Sequence, residues 1–66
     1  MKKYYVNNRA QANGDHEVHD EDCHYLPSDR KYLGLHNHCR SAVEAAKAYY
    51  RQVNGCKFCS EDCHTQ

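Results

Sequence analysis

Short stretches of alternating apolar and polar positions open the chain. In KKYYVNN, Tyr4 and Val6 fall on one side and Tyr5 on the other, the period of two that marks a strand. AQANGD follows as a turn, with Asn13-Gly14 its strongest local signal, and HEVH is placed to pair back antiparallel on the first strand. Pro27 interrupts regular structure in CHYLPSDR. KYLGLH then resumes the alternation, with Leu33 and Leu35 on one face and Tyr32 and His36 on the other, and predicts a third strand.

The period changes after His38. Ser41 and Glu44 make an S-x-x-E capping box at the start of SAVEAAKAYYRQV. Ala42, Ala46, Tyr49 and Val53 recur at helical spacing, Ala45 and Tyr50 widen that stripe, and Glu44, Lys47 and Arg51 mark the wetter side. The spacing predicts a helix from Ser41 that packs one face on the sheet and ends at Asn54-Gly55, with Gly55 in the left-handed conformation of a C-terminal cap. The expected fold is an α+β mini-domain: a small antiparallel sheet of about three strands with one packed helix. Nothing repeats and no Pro-, Ser- or Gly-rich linker divides the chain. We therefore expect a single domain over residues 1–66, with its core over about residues 4–59 and a short tail over 60–66.

Size makes that core marginal. A chain of 66 residues buries only about 60% of the surface its unfolded form exposes. Hydrophobic residues are 39% of the total and the mean hydropathy is −1.12. Ordering costs about 1.5 kcal/mol per residue against apolar burial worth about 25 cal/mol per Å², and for such chains the two nearly cancel. A staple is needed, and five cysteines with six histidines supply material for disulfides or a metal. The odd cysteine count, and a start MKKYYVNNRAQANGDH with no apolar run behind its basic residues, point to a cytoplasmic protein with reduced thiols. One or two disulfides beside a spare thiol are the alternative. No stretch has membrane-spanning length.

Charge counts against one class of partner. Nine Lys/Arg balance nine Asp/Glu and the basic residues are scattered, which argues against a phosphate-binding face. Asp15, Glu17, Asp20, Glu21 and Asp22 crowd around His16 and His19 and read as a solvated acidic turn.

The chemistry concentrates in the tail, NGCKFCSEDCHTQ. CKFC is a C-x-x-C whose sulfurs can converge on one ion from a tight turn, and a tetrahedral site needs two more ligands. Upstream, HDEDC supplies His19 and Cys23, four residues apart. With Cys56 and Cys59 they make a Cys3His set suited to Zn2+, closed to substrate. Such a site contributes roughly 10–16 kcal/mol of apparent free energy to a small domain. His24 rivals His19 as the fourth ligand, and Cys63 or His64 is an alternative donor. Cys39 reads most simply as a small buried residue, with a disulfide or metal contact to Cys63 as the sharper alternative. Cys63 beside His64 has only Glu61 and Asp62 as charged neighbours, with no base to lower its thiol pKa. His36 and His38 in HNHC read as a half-exposed pair or a second metal site.

The order of these parts resembles the zinc-binding domain at the N-terminus of the Ada DNA-repair methyltransferase and its small stand-alone relatives. The resemblance runs from about Tyr4 to Cys59: the strand YYV, the ligand pair in VHDEDC, the strand RKYLGL, the helix SAVEAAKAYY and the closing NGCKFC. It implies zinc ligation by His19, Cys23, Cys56 and Cys59. In that family the first ligand of the pair is a cysteine that accepts a methyl group from DNA. His19 stands there in this chain and offers no thiolate to alkylate, so the resemblance implies the zinc-stapled fold without methyl-acceptor activity. The chain is also similar to small bacterial proteins with a GDHEVH…CHYLP…NGC..CS..CH pattern, which imply no particular activity.

Three functions follow from these observations. The leading one is a structural-zinc module, more an accessory than an enzyme, binding a macromolecule through whichever of Tyr4, Tyr5, Tyr25 and Tyr32 stay exposed. A protein partner is favoured over nucleic acid, and a monomer is expected. A thiol redox protein is the second, although CKFC lacks the surrounding βαβ pattern. A metal sensor or buffer using the surplus Cys and His is the third.

Overall fold

The computed structural model describes residues 1–65. Four strands, β1 (Lys2–Asn7), β2 (His16–Asp20), β3 (Arg30–His36) and β4 (Val53–Gly55), form one sheet in the order β3-β1-β2-β4. A helix, α1 (Cys39–Ala46), and a 3-10 turn at Glu61–Cys63 complete the fold. The three strands expected from the alternation are all present, and β1 lies at the centre, antiparallel to β2 and β3. The architecture is α+β, as expected. The sheet is nevertheless mixed, because β4 adds to β2 in parallel.

Burial follows the strand pattern. Tyr4 and Val6 of β1, Val18 of β2 and Leu33 of β3 face Cys39, Ala42 and Ala46 of α1 in the core, and Val43, Ala45, Tyr50 and Val53 pack around them. Tyr4 is only 6% exposed, which removes it from the aromatics available to a partner. The alternation fails once, in β3. Tyr4 pairs with Gly34 and Tyr5 with Tyr32, so Leu33 is an extra residue in the ladder. Gly34 takes φ +95°, a conformation that L side chains rarely adopt. This bulge leaves Leu33 inside and turns Leu35 out, 55% exposed, instead of placing both on one face.

The helix begins earlier and ends sooner than its spacing predicts. The His38 imidazole caps it by accepting the Arg40 amide at 3.0 Å. The Ser41 hydroxyl lies 2.8 Å from His36 Nδ1, and the Glu44 carboxylate accepts from Lys47 at 2.8 Å, so the expected capping box is not made. Past Ala46 the side chains that extended the helical stripe find partners on the sheet. The Tyr50 ring stacks on His16 at 3.7 Å and its hydroxyl donates to Asn8 at 2.6 Å. Tyr49 lies outside, with the Lys31 ammonium over its ring.

Val53–Gly55 is therefore strand, not helix end, and Asp15 secures it. The Asp15 carboxylate accepts from Gln52 at 2.7 Å and from Asn54 at 3.2 Å. Those hydrogen bonds, Gln52's first, hold its carboxyl below the usual carboxylate range. Asp15 and Asp20 are buried, so the expected solvated acidic turn is partly an internal polar clasp.

Gly55 has no left-handed backbone and caps nothing. A Cβ there would lie 2.7 Å from both the Cys63 Cβ and the Ser60 carbonyl oxygen. Glycine is needed so that the 3-10 turn can lie against β4. Beside this contact, Cys63 forms a disulfide with Cys39. The expectation of reduced thiols throughout fails for this pair. Three of the five cysteines remain free and the other two make a bond, so an odd total left an even remainder.

Gly55→Ala is expected to lower stability by about 1–3 kcal/mol, the usual cost of overpacking. An unchanged urea midpoint for this variant would show that the turn does not press on β4.

Candidate metal centre

The two halves of the Cys/His set come together because β2 and β4 run side by side. Their register pairs Val18 with Gly55, and the Cys56 amide donates to the Val18 carbonyl at 2.9 Å. His19 and Cys56, each the next residue along its strand, thereby become neighbours. Each strand then turns. The Cys23 amide donates to the Asp20 carbonyl at 3.2 Å, and the Ser60 amide to the Cys56 carbonyl at 2.9 Å. These turns swing Cys23 and Cys59 back over the strand ends.

One ligand atom from each of His19, Cys23, Cys56 and Cys59 lies within 4.8 Å of the others, and the group is placed to hold a metal ion. His19 and Cys56 are buried, each about 1% exposed, and Cys23 and Cys59 are half-buried. Cys23 Sγ is 3.9 Å from Cys56 Sγ, and His19 Nδ1 is 3.4 Å from Cys23 Sγ and 3.8 Å from Cys59 Sγ. An ion with sulfur at about 2.3 Å and imidazole nitrogen at about 2.0 Å has tetrahedral edges of about 3.8 Å between sulfurs and about 3.5 Å from sulfur to nitrogen. The spacing of the four side chains fits that shape.

Backbone amides face the sulfurs as well. The Phe58 amide donates to Cys56 Sγ at 3.5 Å. The Tyr25 amide serves Cys23 and the Asp20 amide serves Cys59. Three thiolates around a divalent ion leave a net negative charge, and such donors stabilise it in a partly buried site.

His19 shows which of its nitrogens is placed to face an ion. Nδ1 points into the sulfur cluster, whereas Nε2 is buried without a hydrogen-bond partner and lies 3.7 Å from a Glu17 carboxylate oxygen. A proton on Nε2 facing that carboxylate leaves Nδ1 free to ligate, the usual arrangement of a metal-binding imidazole. Burial lowers the His19 pKa, against the opposing pull of Glu17 and Asp20, and so favours the neutral ring that ligation requires. Glu17 carried no signal in the sequence beyond its place two residues before His19 on one strand face.

The rival ligands lie elsewhere. His24 is exposed with its ring against Tyr25, and His64 Nδ1 lies 3.0 Å from the Gly55 carbonyl oxygen. Cys63 is in the disulfide. His36 is held between Ser41 and the Leu33 carbonyl, so a His36–His38 pair does not form a site. His38 instead joins Cys39 and Cys63 in a second Cys/His group.

A scan against protein-family models, a search of curated proteins and a search of solved structures each return no match. Among the described residues, no helix is long and apolar enough to cross a membrane.

Burial raises the thiol pKa of Cys23 and Cys59 above the ordinary cysteine range. Without a metal both carry protons at neutral pH, while His19 does not, and an ion must displace at least those two protons. Apparent metal affinity is therefore expected to rise with pH, by at least about two log units per pH unit near neutrality, and to fall on acidification. Competition titrations at several pH values give the slope, and a flat profile contradicts the assignment. Glu17→Gln is expected to weaken metal binding about 10-fold or more while the metal-loaded fold persists, as read by the same titration.

Proposed function

We propose that this chain is a structural-zinc module, with His19, Cys23, Cys56 and Cys59 as ligands, serving as a binding or accessory domain without methyl-acceptor activity. The observation that carries the reading is the match between three separations among the four donors and the edges of a zinc tetrahedron. Three sulfurs and one imidazole saturate the ion, which leaves no position for substrate, and both strand ends and both turns depend on it. The order strand, ligand pair, strand, helix and C-x-x-C is the basis for likening it to the Ada-type zinc domain.

The partner in this reading is a protein. Balanced charge gives nucleic acid no basic face. Apolar surface is available beside the metal centre, where the rings of Tyr25 and Phe58 lie 4.7 Å apart, the latter 67% exposed. Tyr32 adds a second exposed ring on the sheet, tilted against the half-buried Tyr5. Tyr25 and Phe58 each follow a ligand cysteine by two residues, so the ion that orders the turns also orders this surface.

Native mass spectrometry with circular dichroism, before and after a strong chelator, tests the metal role. One zinc per chain, lost together with the fold, is the expected result, and a metal-free chain that stays folded contradicts it. Cys56→Ser or Cys23→Ser is expected to abolish the cooperative melt. Cys63→Ser loses a disulfide worth about 3 kcal/mol of chain entropy for a loop of this length, yet keeps its metal and its fold.

A further inference from the structure

A second group of side chains that could hold a metal ion lies at the start of α1 and the end of the C-terminal 3-10 turn, and the centre described above does not use it. His38, Cys39 and Cys63 bring their ligand atoms within 4.8 Å of one another. His38 caps α1, Cys39 is its first residue, and Cys63 ends the 3-10 turn. His38 Nδ1 is 3.7 Å from Cys39 Sγ, close to the edge of about 3.5 Å expected between sulfur and nitrogen on one ion. His38 Nε2 is 3.4 Å from an Asp62 carboxylate oxygen. The pattern repeats that of His19, whose Nδ1 faces sulfur and whose Nε2 faces Glu17.

In the disulfide form the His38 imidazole caps α1 through the Arg40 amide, and the same ring nitrogen also faces the Cys39 sulfur with the Asp62 carboxylate behind the ring. Two thiolates and an oriented imidazole are, however, the protein ligands of an open metal site, with the fourth position left to solvent. Space for that position exists. A cavity of about 450 Å³ is lined by His38, Cys39 and Asp62, together with Asp20, Cys59 and Ser60.

We propose that Cys39, Cys63 and His38 form a second, exchangeable site for a divalent, thiolate-seeking metal ion such as Zn2+, closed in the disulfide form and opened by a dithiol reductant. A thiolate of the reductant attacks the half-buried Cys63 sulfur, and Cys39 leaves as the thiolate. The second thiol of the reductant then displaces Cys63 from the mixed disulfide. The products are the oxidised, cyclic reductant and two cysteines that have together gained two electrons and two protons. The metal ion displaces those two protons and takes His38 Nδ1 in place of the Arg40 amide that this nitrogen now caps. Transfer of two electrons back to an oxidised dithiol restores the disulfide and releases the ion.

This inference goes beyond a structural-zinc role, and zinc counts distinguish the two. The protein is prepared in its disulfide form and, separately, after reduction by a dithiol and its removal without oxygen. Each form is equilibrated with Zn2+ and weighed by native mass spectrometry, with an amide NMR spectrum to establish folding. The disulfide form is expected to hold one ion and the reduced form two, the second removable by a weak chelator that spares the first. The double variant Cys39→Ser, Cys63→Ser is expected to hold one ion in both preparations. His38→Ala is expected to keep the first ion and to bind the second at least 10-fold more weakly. A reduced wild-type protein that holds no more zinc than the double variant overturns the proposal, as does a second ion indifferent to His38→Ala or a zinc-loaded reduced chain that is unfolded. No ion in the disulfide form, one in the reduced form and none in the double variant would instead sink the structural-zinc reading and leave this site standing.

Discussion

A single backbone hydrogen bond, from the Cys56 amide to the Val18 carbonyl, carries the parallel pairing of β2 and β4 to its last step. Without that register His19 and Cys56 would not be neighbours, and the two halves of the Cys/His cluster, more than thirty residues apart in sequence, would have no common point. A three-residue strand cannot hold such a register by its own ladder. Asp15 assists from one end, clasping Gln52 and Asn54, and the converging donors of the metal centre close the other. The apolar core is built largely of small side chains, with two alanines and two valines at full burial. A core of that size does not by itself select one register.

The same pairing explains where the sequence was readable. β1, β2 and β3 could be located because their contacts are local in kind: each alternates apolar and polar positions against a neighbour reached through a turn. The ligand pairs could be located because tetrahedral coordination restricts both residue type and spacing. β4 carried no such signal. Val53 continues the helical spacing of Ala46 and Tyr49 and Asn54-Gly55 reads as a helix end, and only the partners of Gln52, Asn54 and Tyr50 on a distant part of the chain pull the segment into the sheet. Helical periodicity over Tyr49 to Val53 was therefore coincidence overridden by tertiary contact. The capping signal misled for a related reason. Ser41 and Glu44 have the right spacing, but His38, three residues earlier, offers a ring nitrogen already fixed in place beside Cys39.

Gly55 and Cys63 show how residue type can be read correctly and its cause missed. Glycine after a helix usually supplies a left-handed cap, whereas here the absent Cβ makes room for Cys63. Cysteine parity, used alone, counts against disulfides. Once three thiols are reserved for an ion, the remaining two are an even pair, and the parity argument reverses.

The two covalent or coordinative staples share one short segment. Cys56 and Cys59 fasten it to β2 from one side, and Cys63 fastens it to α1 from the other. Between them Ser60 is buried, donating its amide to Cys56 and accepting from Cys63. Either staple constrains the conformations open to the segment, so each lowers the entropy lost when the other forms. Release of one therefore loosens the segment without freeing it. On the proposed zinc reading, a closed centre at His19, Cys23, Cys56 and Cys59 that holds the strands in register lets the neighbouring disulfide open without loss of the fold, which divides permanence at the first group from exchange at the Cys39–Cys63 pair.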